Sequence, residues 1–292
     1  APYRGVLTHG FTLDEKGMKM SKSLGNTVAP QEVIGEYGAD ILRLWVAQSD
    51  YTVDLRIGKE ILKGVADSYR RLRNTMRYML GALKDFSEAE RVDHAQMPEL
   101  ERWVLHRLAE LDAEVRDGYA KYDFQGVFQK LFTFCTTDLS AVYFDIRKDA
   151  LYCDAPDSLR RRACRTVLDI LFHRLTTWLA PVLVFTMEEV WLERFPGEES
   201  SVHLIDFPET PASWRDEALA AKWPDQTTRD LLAQRAVHDL NAETRGVAYS
   251  ALGKMHSDFG CILPTRDLDG TGPYLDPLEP IPRKHVEKAA AN

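Results

Sequence analysis

Residues 61–83 read ILKGVADSYRRLRNTMRYMLGAL, and this stretch decides the fold class. Ile61, Val65, Tyr69, Leu72, Met76, Met79 and Leu83 recur at steps of three and four. That spacing stacks apolar side chains along one side of an α-helix. Lys63, Arg70, Arg73 and Arg77 stand off the stripe, so the helix is expected to be apolar on one face and basic on the other. From Lys59 to Lys84 there are seven basic and two acidic residues.

The same period continues toward the C-terminus. Leu100, Val104, Leu108, Leu111 and Val115 mark a second stripe, and Phe124, Phe128, Leu131, Cys135, Leu139, Val142 and Ile146 a third. Leu159, Ala163, Val167, Ile170 and Trp178 mark a fourth, with Asp157 or Ser158 placed to cap its first turn. Pro181 fits the first turn of a further helix that ends near Arg194, before Pro196-Gly197. Amphipathic helices joined by short connections bury their stripes against each other, which predicts a mainly α protein built on a helical bundle. The ends read differently. Residues 1–58 are glycine-punctuated and loop-rich, with a short β-leaning piece at Gly5–Phe11. Beyond about His256, Gly260, Pro264, Gly270, Pro273, Pro277 and Pro282 break helical periodicity, and an irregular tail is expected.

Composition narrows the class. Of 292 residues, 45% are hydrophobic and 28% charged, the balance of a globular protein with a buried core. The net charge of -8 argues against a surface that binds nucleic acid everywhere, leaving local basic faces as the places for such contact. Between Glu188 and Asp230 the count is eleven acidic to four basic, a face expected to avoid RNA. No apolar run approaches the ~20 residues of a membrane helix, so no membrane partner is expected. The first ten residues lack a secretory pattern, and a start at Ala1 is expected of a chain that belongs to something longer at both ends. Cys135, Cys153, Cys164 and Cys261 are isolated and form no C-x-x-C pair, which predicts no zinc site and buried thiols in a reducing cytoplasm. His94, His106 and His173 have no neighbours at ligand spacing, so no metal site is assigned. Trp45, Trp103, Trp178 and Trp191 fall on or beside apolar stripes and are expected in the core, while Trp214 and Trp223 are placed to dock an acidic connection onto the bundle.

The chemistry-bearing stretch is Asp14–Asn26, DEKGMKMSKSLGN. Gly17 and Gly25 read as pivots, and Lys19, Lys22, Ser21 and Ser23 lie between them. Ammonium and hydroxyl groups are donors without a fixed fork, suited to a phosphate chain that moves during reaction. A lone K-x-x-K is more simply a solvated basic loop; its surroundings decide. Lys19 to Ser23 spells K-M-S-K-S, preceded by Leu7-Thr8-His9-Gly10-Phe11 and followed by Leu24-Gly25-Asn26-Thr27-Val28. Then come Tyr37-Gly38-Ala39-Asp40-Ile41-Leu42-Arg43-Leu44-Trp45-Val46-Ala47 and Ser49-Asp50-Tyr51. Tyr122-Asp123-Phe124, Tyr143-Phe144-Asp145-Ile146-Arg147-Lys148-Asp149 and the segment from Pro181 to Trp191 complete the pattern.

Over about the first four-fifths of its length the chain resembles the isoleucyl-tRNA synthetases, a family of class I aminoacyl-tRNA synthetases. Beyond roughly Gly246 the pattern is lost. The resemblance implies the end of a Rossmann-like catalytic domain with its KMSKS loop over 1–57, an anticodon-binding helical bundle over 58–250, and an irregular tail over 251–292. It implies ATP-dependent activation of isoleucine, with Mg2+, and transfer to tRNA(Ile) by a monomeric cytoplasmic enzyme. Lys22 and Lys19 are then the catalytic cations, with Met20, Ser21 and Ser23 sharing the ATP site. Candidate tRNA contacts are Lys63, Arg70, Arg73 and Arg77 on one helix and Arg160 and Arg161 on another, the latter at an N-terminal turn where the dipole does not favour cations. The family's His-x-Gly-His signature, editing domain and cysteine-rich zinc module are absent from this segment, so the segment by itself is expected to be inactive. Two alternatives stay open: a free-standing RNA-binding helical module without catalysis, and a valine-specific relative.

Overall fold

The computed structural model describes residues 2–222. The helix expected over 227–244, the tail over 251–292, Trp223 and Cys261 lie outside the described residues. The chain divides into two compact units after Arg215. In the second, the described part is a short helix, Glu217–Lys222, whose Leu219 N–H donates to the Asp216 carboxylate at 2.9 Å.

The first unit opens with two parallel two-residue strands, β1 (Thr12–Leu13) and β2 (Leu55–Arg56), which pair Thr12 with Leu55 and Leu13 with Arg56. The β-leaning reading of Gly5–Phe11 is corrected by this register. The Gly10 N–H goes to Tyr51 O and the Phe11 N–H to the Asp54 carboxylate, so the ladder starts only at the Phe11 carbonyl, which accepts from Leu55 N–H at 2.7 Å. Helix α1 (Pro30–Tyr37) begins on a proline, and α2 (Ala39–Gln48) follows directly through Gly38.

Helix α3 (Lys59–Ala82) follows the periodicity: Val65, Leu72, Met76, Met79 and Leu83 are buried, while Lys63, Arg70, Arg73 and Arg77 are exposed. Helix α4 (Glu99–Ala120) buries its whole predicted stripe. It turns into α5 (Phe124–Thr133) through Tyr122, at a positive φ of 60°, and Asp123, whose carboxylate accepts from Gly126 N–H at 2.9 Å and caps the new helix. The two helices approach closely because residue 118 is glycine: a Cβ there would lie 2.4 Å from Val127 Cγ2.

The third predicted stripe drifts. After α5 the chain runs in π-helical geometry from Phe134 to Tyr143 before α6 (Phe144–Cys153). The Phe144 N–H reaches back to Leu139 O, five residues rather than four. The Thr136 hydroxyl donates to Phe132 O at 2.8 Å, competing for a ladder carbonyl at the start of this segment. The wider turns carry Val142 and Ile146 to half-buried positions and bring Tyr143 and Phe144 into the core. Tyr143 and Arg147 then meet Glu101 of α4, which is fully buried. Arg147 grips it with two bonds, 2.6 and 2.7 Å, and the Tyr143 hydroxyl donates to it at 3.3 Å.

Helix α7 (Leu159–Leu179) departs furthest from expectation. From Ala163 to Leu179 every residue except Ile170 and His173 is buried, including Arg165, Asp169 and Arg174, whereas Leu159 is exposed. It is the centre of the bundle, touching α3, α4, α6 and α8 (Val184–Arg194) rather than presenting one face. Ser158 occupies the cap position, but its hydroxyl donates to Asp154 instead of capping. Helix α8 ends at Arg194 as predicted and begins three residues after Pro181, because side chains of α2 hold the turn open. Arg43 donates to Pro181 O at 2.7 Å and Val182 O at 3.0 Å. Asp40 accepts from Thr186 N–H at 2.8 Å, from the Thr186 hydroxyl at 2.6 Å and from Phe185 N–H at 3.3 Å. All four stripe tryptophans are buried, and Trp214 docks under Arg174, whose guanidinium lies 4.8 Å from the ring. Cys135 and Cys164 are buried, with burial pushing both thiols up to about 12. Cys153 is exposed at the end of α6, contrary to its expected burial.

Arg147→Met removes one partner of a pair whose other member has no access to water. It is expected to destabilise the chain by about 3–5 kcal/mol in denaturant unfolding, and Arg147→Met/Glu101→Leu to recover most of that loss.

Candidate functional site

The loop from Asp14 to Asn26 hangs from the end of β1 and is closed by its own side chains. Asp14 Oδ1 accepts from the backbone N–H groups of Lys16 at 3.0 Å and Met18 at 2.7 Å. Asp14 Oδ2 accepts from Asn26 Nδ2 at 2.9 Å. The same Nδ2 donates to Lys19 O at 3.2 Å, and Asn26 Oδ1 accepts from Ser21 N–H at 2.9 Å. Within this clasp Lys22–Leu24 forms a 3-10 turn. The Ser21 hydroxyl contacts the Ser23 hydroxyl at 3.1 Å and accepts from Leu24 N–H at 3.3 Å. Gly25 ends the turn in the left-handed region at φ 65°, which favours glycine.

Lys19, Lys22 and Ser23 are exposed, while Met20 and Ser21 are half-buried. Neither lysine has an ion-pair partner among the described residues. The loop thus brings together the residues singled out in the sequence and leaves two ammonium groups open to an anion. Asp14 and Asn26, which close it, were not assigned a role from sequence. Their signal was present: Asp and Asn at the two ends of a glycine-rich loop are the residue types that bond to nearby backbone. The Asn26 hydrogen bond, then the Met18 N–H, hold the Asp14 carboxyl below its ordinary value of 3.8.

The basic face of α3 is a second exposed feature. Arg70 pairs with Asp67 at 2.9 Å in an open setting, whereas Lys63, Arg73 and Arg77 have no ion-pair partner among the described residues. The arginines at the start of α7 behave differently. Arg160 is engaged with both oxygens of Asp154, and Arg161 donates to Asp154 O at 3.0 Å. Arg162 donates to Glu90 O at 3.2 Å. Arg165 is buried and donates to Ala82 O and Lys84 O at the end of α3, as well as to Glu90. Arg162 and Arg165, beside the two candidates, satisfy backbone carbonyls and are not left for an anion. A cleft of about 450 Å³ between α4, α5 and the π-helix contains Arg107, Glu110, Glu114, Lys130 and Asp138, residues that sequence reasoning did not select. Its charges pair with one another: Lys130 with Glu114 at 3.2 Å, and Arg107 with Glu110 and with Asp138 at 3.6 Å.

Two parts of the chain match described families. Residues 1–58 match tRNA synthetases class I (I, L, M and V), and residues 101–246 match the anticodon-binding domain of tRNA ligase. The chain belongs to the class I tRNA ligases that carry this anticodon-binding domain. Its relatives include an isoleucine–tRNA ligase of Ruegeria pomeroyi, 77% identical over 217 residues, covering 74% of this chain and 22% of that protein. The isoleucine–tRNA ligase of Agrobacterium fabrum is 59% identical over 223 residues, covering 76% of this chain and 23% of that protein. The chain therefore spans less than a quarter of the length of these relatives. A solved ternary complex, LeuRS–tRNA–LeuAMS from Agrobacterium radiobacter, shares the fold, with a TM-score of 0.56 and 19% identity over 71% of this chain and 24% of that one.

The depressed Asp14 value fixes the sign of a pH effect. A carboxylate lowered on folding stabilises the clasp fully above its unfolded value and loses that contribution as pH falls through the folded one. The Lys16 and Met18 amide proton shifts are therefore expected to titrate with a midpoint below 3.8 in NMR; a midpoint at or above 3.8 contradicts the clasp.

Proposed function

We propose that this chain is the segment of an isoleucine–tRNA ligase that supplies the phosphate-gripping loop of the ATP site and the tRNA-binding bundle. The observation that carries the reading is the clasped loop with Lys19 and Lys22 exposed on it, in a chain whose near relatives are isoleucine–tRNA ligases. In the first step a carboxylate oxygen of isoleucine attacks the α-phosphorus of ATP and pyrophosphate leaves. In the second, a terminal ribose hydroxyl of tRNA(Ile) attacks the aminoacyl carbonyl and AMP leaves. Negative charge builds on the phosphates as the first bond breaks, and positioned cations stabilise that transition state more than the ground state. Lys22 takes that role, with Lys19 beside it and the Ser21 and Ser23 hydroxyls as further donors. Two ammonium groups repel a divalent ion, so Mg2+ is brought by the nucleotide and is not held by this loop. The enzyme acts as a cytoplasmic monomer.

Lys63, Arg70, Arg73 and Arg77 hold tRNA phosphates. This assignment is supported by their exposure along one helix and by the spacing of phosphates, which need cations at intervals. Arg160 and Arg161 contribute less, since a phosphate there competes with Asp154.

In the complete ligase, Lys22→Ala is expected to slow isoleucine-dependent ATP–pyrophosphate exchange by roughly 100- to 1,000-fold, with isoleucine binding little changed. Exchange near the wild-type rate overturns the assignment, and faster adenylate formation with valine than with isoleucine overturns the amino acid. Replacing Arg73 and Arg77 with glutamine is expected to weaken tRNA binding and to flatten the dependence of log K on log salt by about 1 for each phosphate no longer neutralised. An unchanged slope in a filter-binding titration removes α3 from the interface.

A further inference from the structure

We propose that Asn26 is a positioning residue for adenylate formation, its carboxamide fixing the backbone at Lys19 and Ser21 so that the lysines are presented from a set loop. This rests on the phosphate role of the loop argued above. Asn26 is half-buried and lies outside the lysine–serine signature, yet it spans the loop, bonding Asp14, Lys19 and Ser21, whereas the other bonds of Ser21 go to its near neighbours Ser23 and Leu24. Both protons of its amide nitrogen are used, one on the Asp14 carboxylate and one on the Lys19 carbonyl, and its oxygen takes the Ser21 N–H. Asp14 in turn is held by the Lys16 and Met18 amides, so one continuous chain of bonds links residues on both arms of the loop.

The physical need is clear from the lysine side chain. Four rotatable methylenes end in an ammonium without preferred direction, so only a placed backbone limits where the charge goes. Pre-placed groups lower a barrier in proportion to the ordering already achieved, and misplacement by about 1 Å costs up to ~100-fold. The clasp supplies that ordering at Lys19 directly and at Lys22 through Ser21, the residue that precedes it and caps its 3-10 turn. None of these bonds reaches the bundle, so breaking them leaves the core packing in place.

The polarity of the bond allows a swap. Asn26→Asp sets two carboxylates against each other, whereas Asp14→Asn/Asn26→Asp restores an amide-to-carboxylate bond in reverse. The introduced carboxylate still accepts the Ser21 N–H, but its second oxygen faces the Lys19 carbonyl oxygen, so the swap restores the bond between the arms and not the grip on Lys19. In the complete ligase, Asn26→Ala is expected to lower kcat for ATP–pyrophosphate exchange between about tenfold and a hundredfold with the KM for isoleucine unchanged. Asn26→Asp is expected to be worse, and the swapped pair to regain most of its loss. Activity of Asn26→Ala within about twofold of the wild type, a matching rise in the isoleucine KM, or a swapped pair no better than Asn26→Asp each overturns the proposal. Lys22→Ala, measured alongside, separates the two levels. Loss there with none in Asn26→Ala sinks the clasp alone; no loss in either sinks the phosphate role of the loop and the clasp with it.

Discussion

Backbone carbonyls and amides at helix ends lose water when the ends are buried, and each must find another partner. In this protein arginine side chains meet much of that demand. Arg165 takes the carbonyls ending α3, Arg116 and Arg174 do the same for the loop carbonyls of Phe207, Pro208 and Glu209, and Arg43, itself exposed, holds the carbonyls of the turn between α7 and α8. The guanidinium is suited to this because it offers several donors in a fixed plane and stays charged on burial. Asp40 does the reverse job, taking the amides of the first turn of α8. Asp40 and Arg43 lie three residues apart on one short helix and hold both sides of the same turn. That pair ties the loop-bearing segment to the bundle.

A second tie lies at the other end of α2. The Tyr51 hydroxyl donates to Tyr122 O at 2.6 Å, Tyr51 packs against the Phe124 ring at 5.8 Å, and Gln125 donates to Gln48 O at 3.1 Å. The stretches whose wording suggested a family are largely these joints. Gly38-Ala39-Asp40 and its Arg43 clamp α8, Ser49-Asp50-Tyr51 meets Tyr122-Asp123-Phe124, and Tyr143 with Arg147 secures Glu101. Their role in the described residues is assembly, whereas the proposed chemistry falls on the short loop and the exposed face of α3.

Periodicity reads well where a helix has one wet side, so the stripe of α4 and most of that of α3 were legible, although Ile61 and Tyr69 are half-buried and Leu62, Glu101 and Leu105 are buried off the stripes. It misleads at α7, where Arg165, Asp169 and Arg174 look like a solvent face but are buried and paired. Asp169 meets Arg91 and Arg194, and Arg165 meets carbonyls. It also misleads past Leu139, where the repeat length changes without any composition signal strong enough to announce it. At the site, the lysines and serines were legible as residue types. The closing bonds were not, because hydrogen bonds of Asp14 and Asn26 depend on loop geometry that spacing does not encode. Arg160 illustrates the remaining difficulty: a surface cation and a carboxylate-paired one look alike until the partner is placed.

The π-helical stretch acts on the bundle as a phase shifter. Each residue of an α-helix advances the chain by about 100°, so chain length and facing direction are coupled. The wide turns over 134–143 absorb extra residues without lengthening the rod in proportion, and they set the angle at which α6 emerges. Were the same residues to close as ordinary α-helix, each would advance the chain further than it does in the wide turns, and everything after them would rotate out of phase. Arg147 would then be carried away from Glu101 and Tyr143 out of the core. A bundle built this way tolerates swaps of similar side chains more readily than changes in count, and the place where count matters most is a run whose composition looks unremarkable.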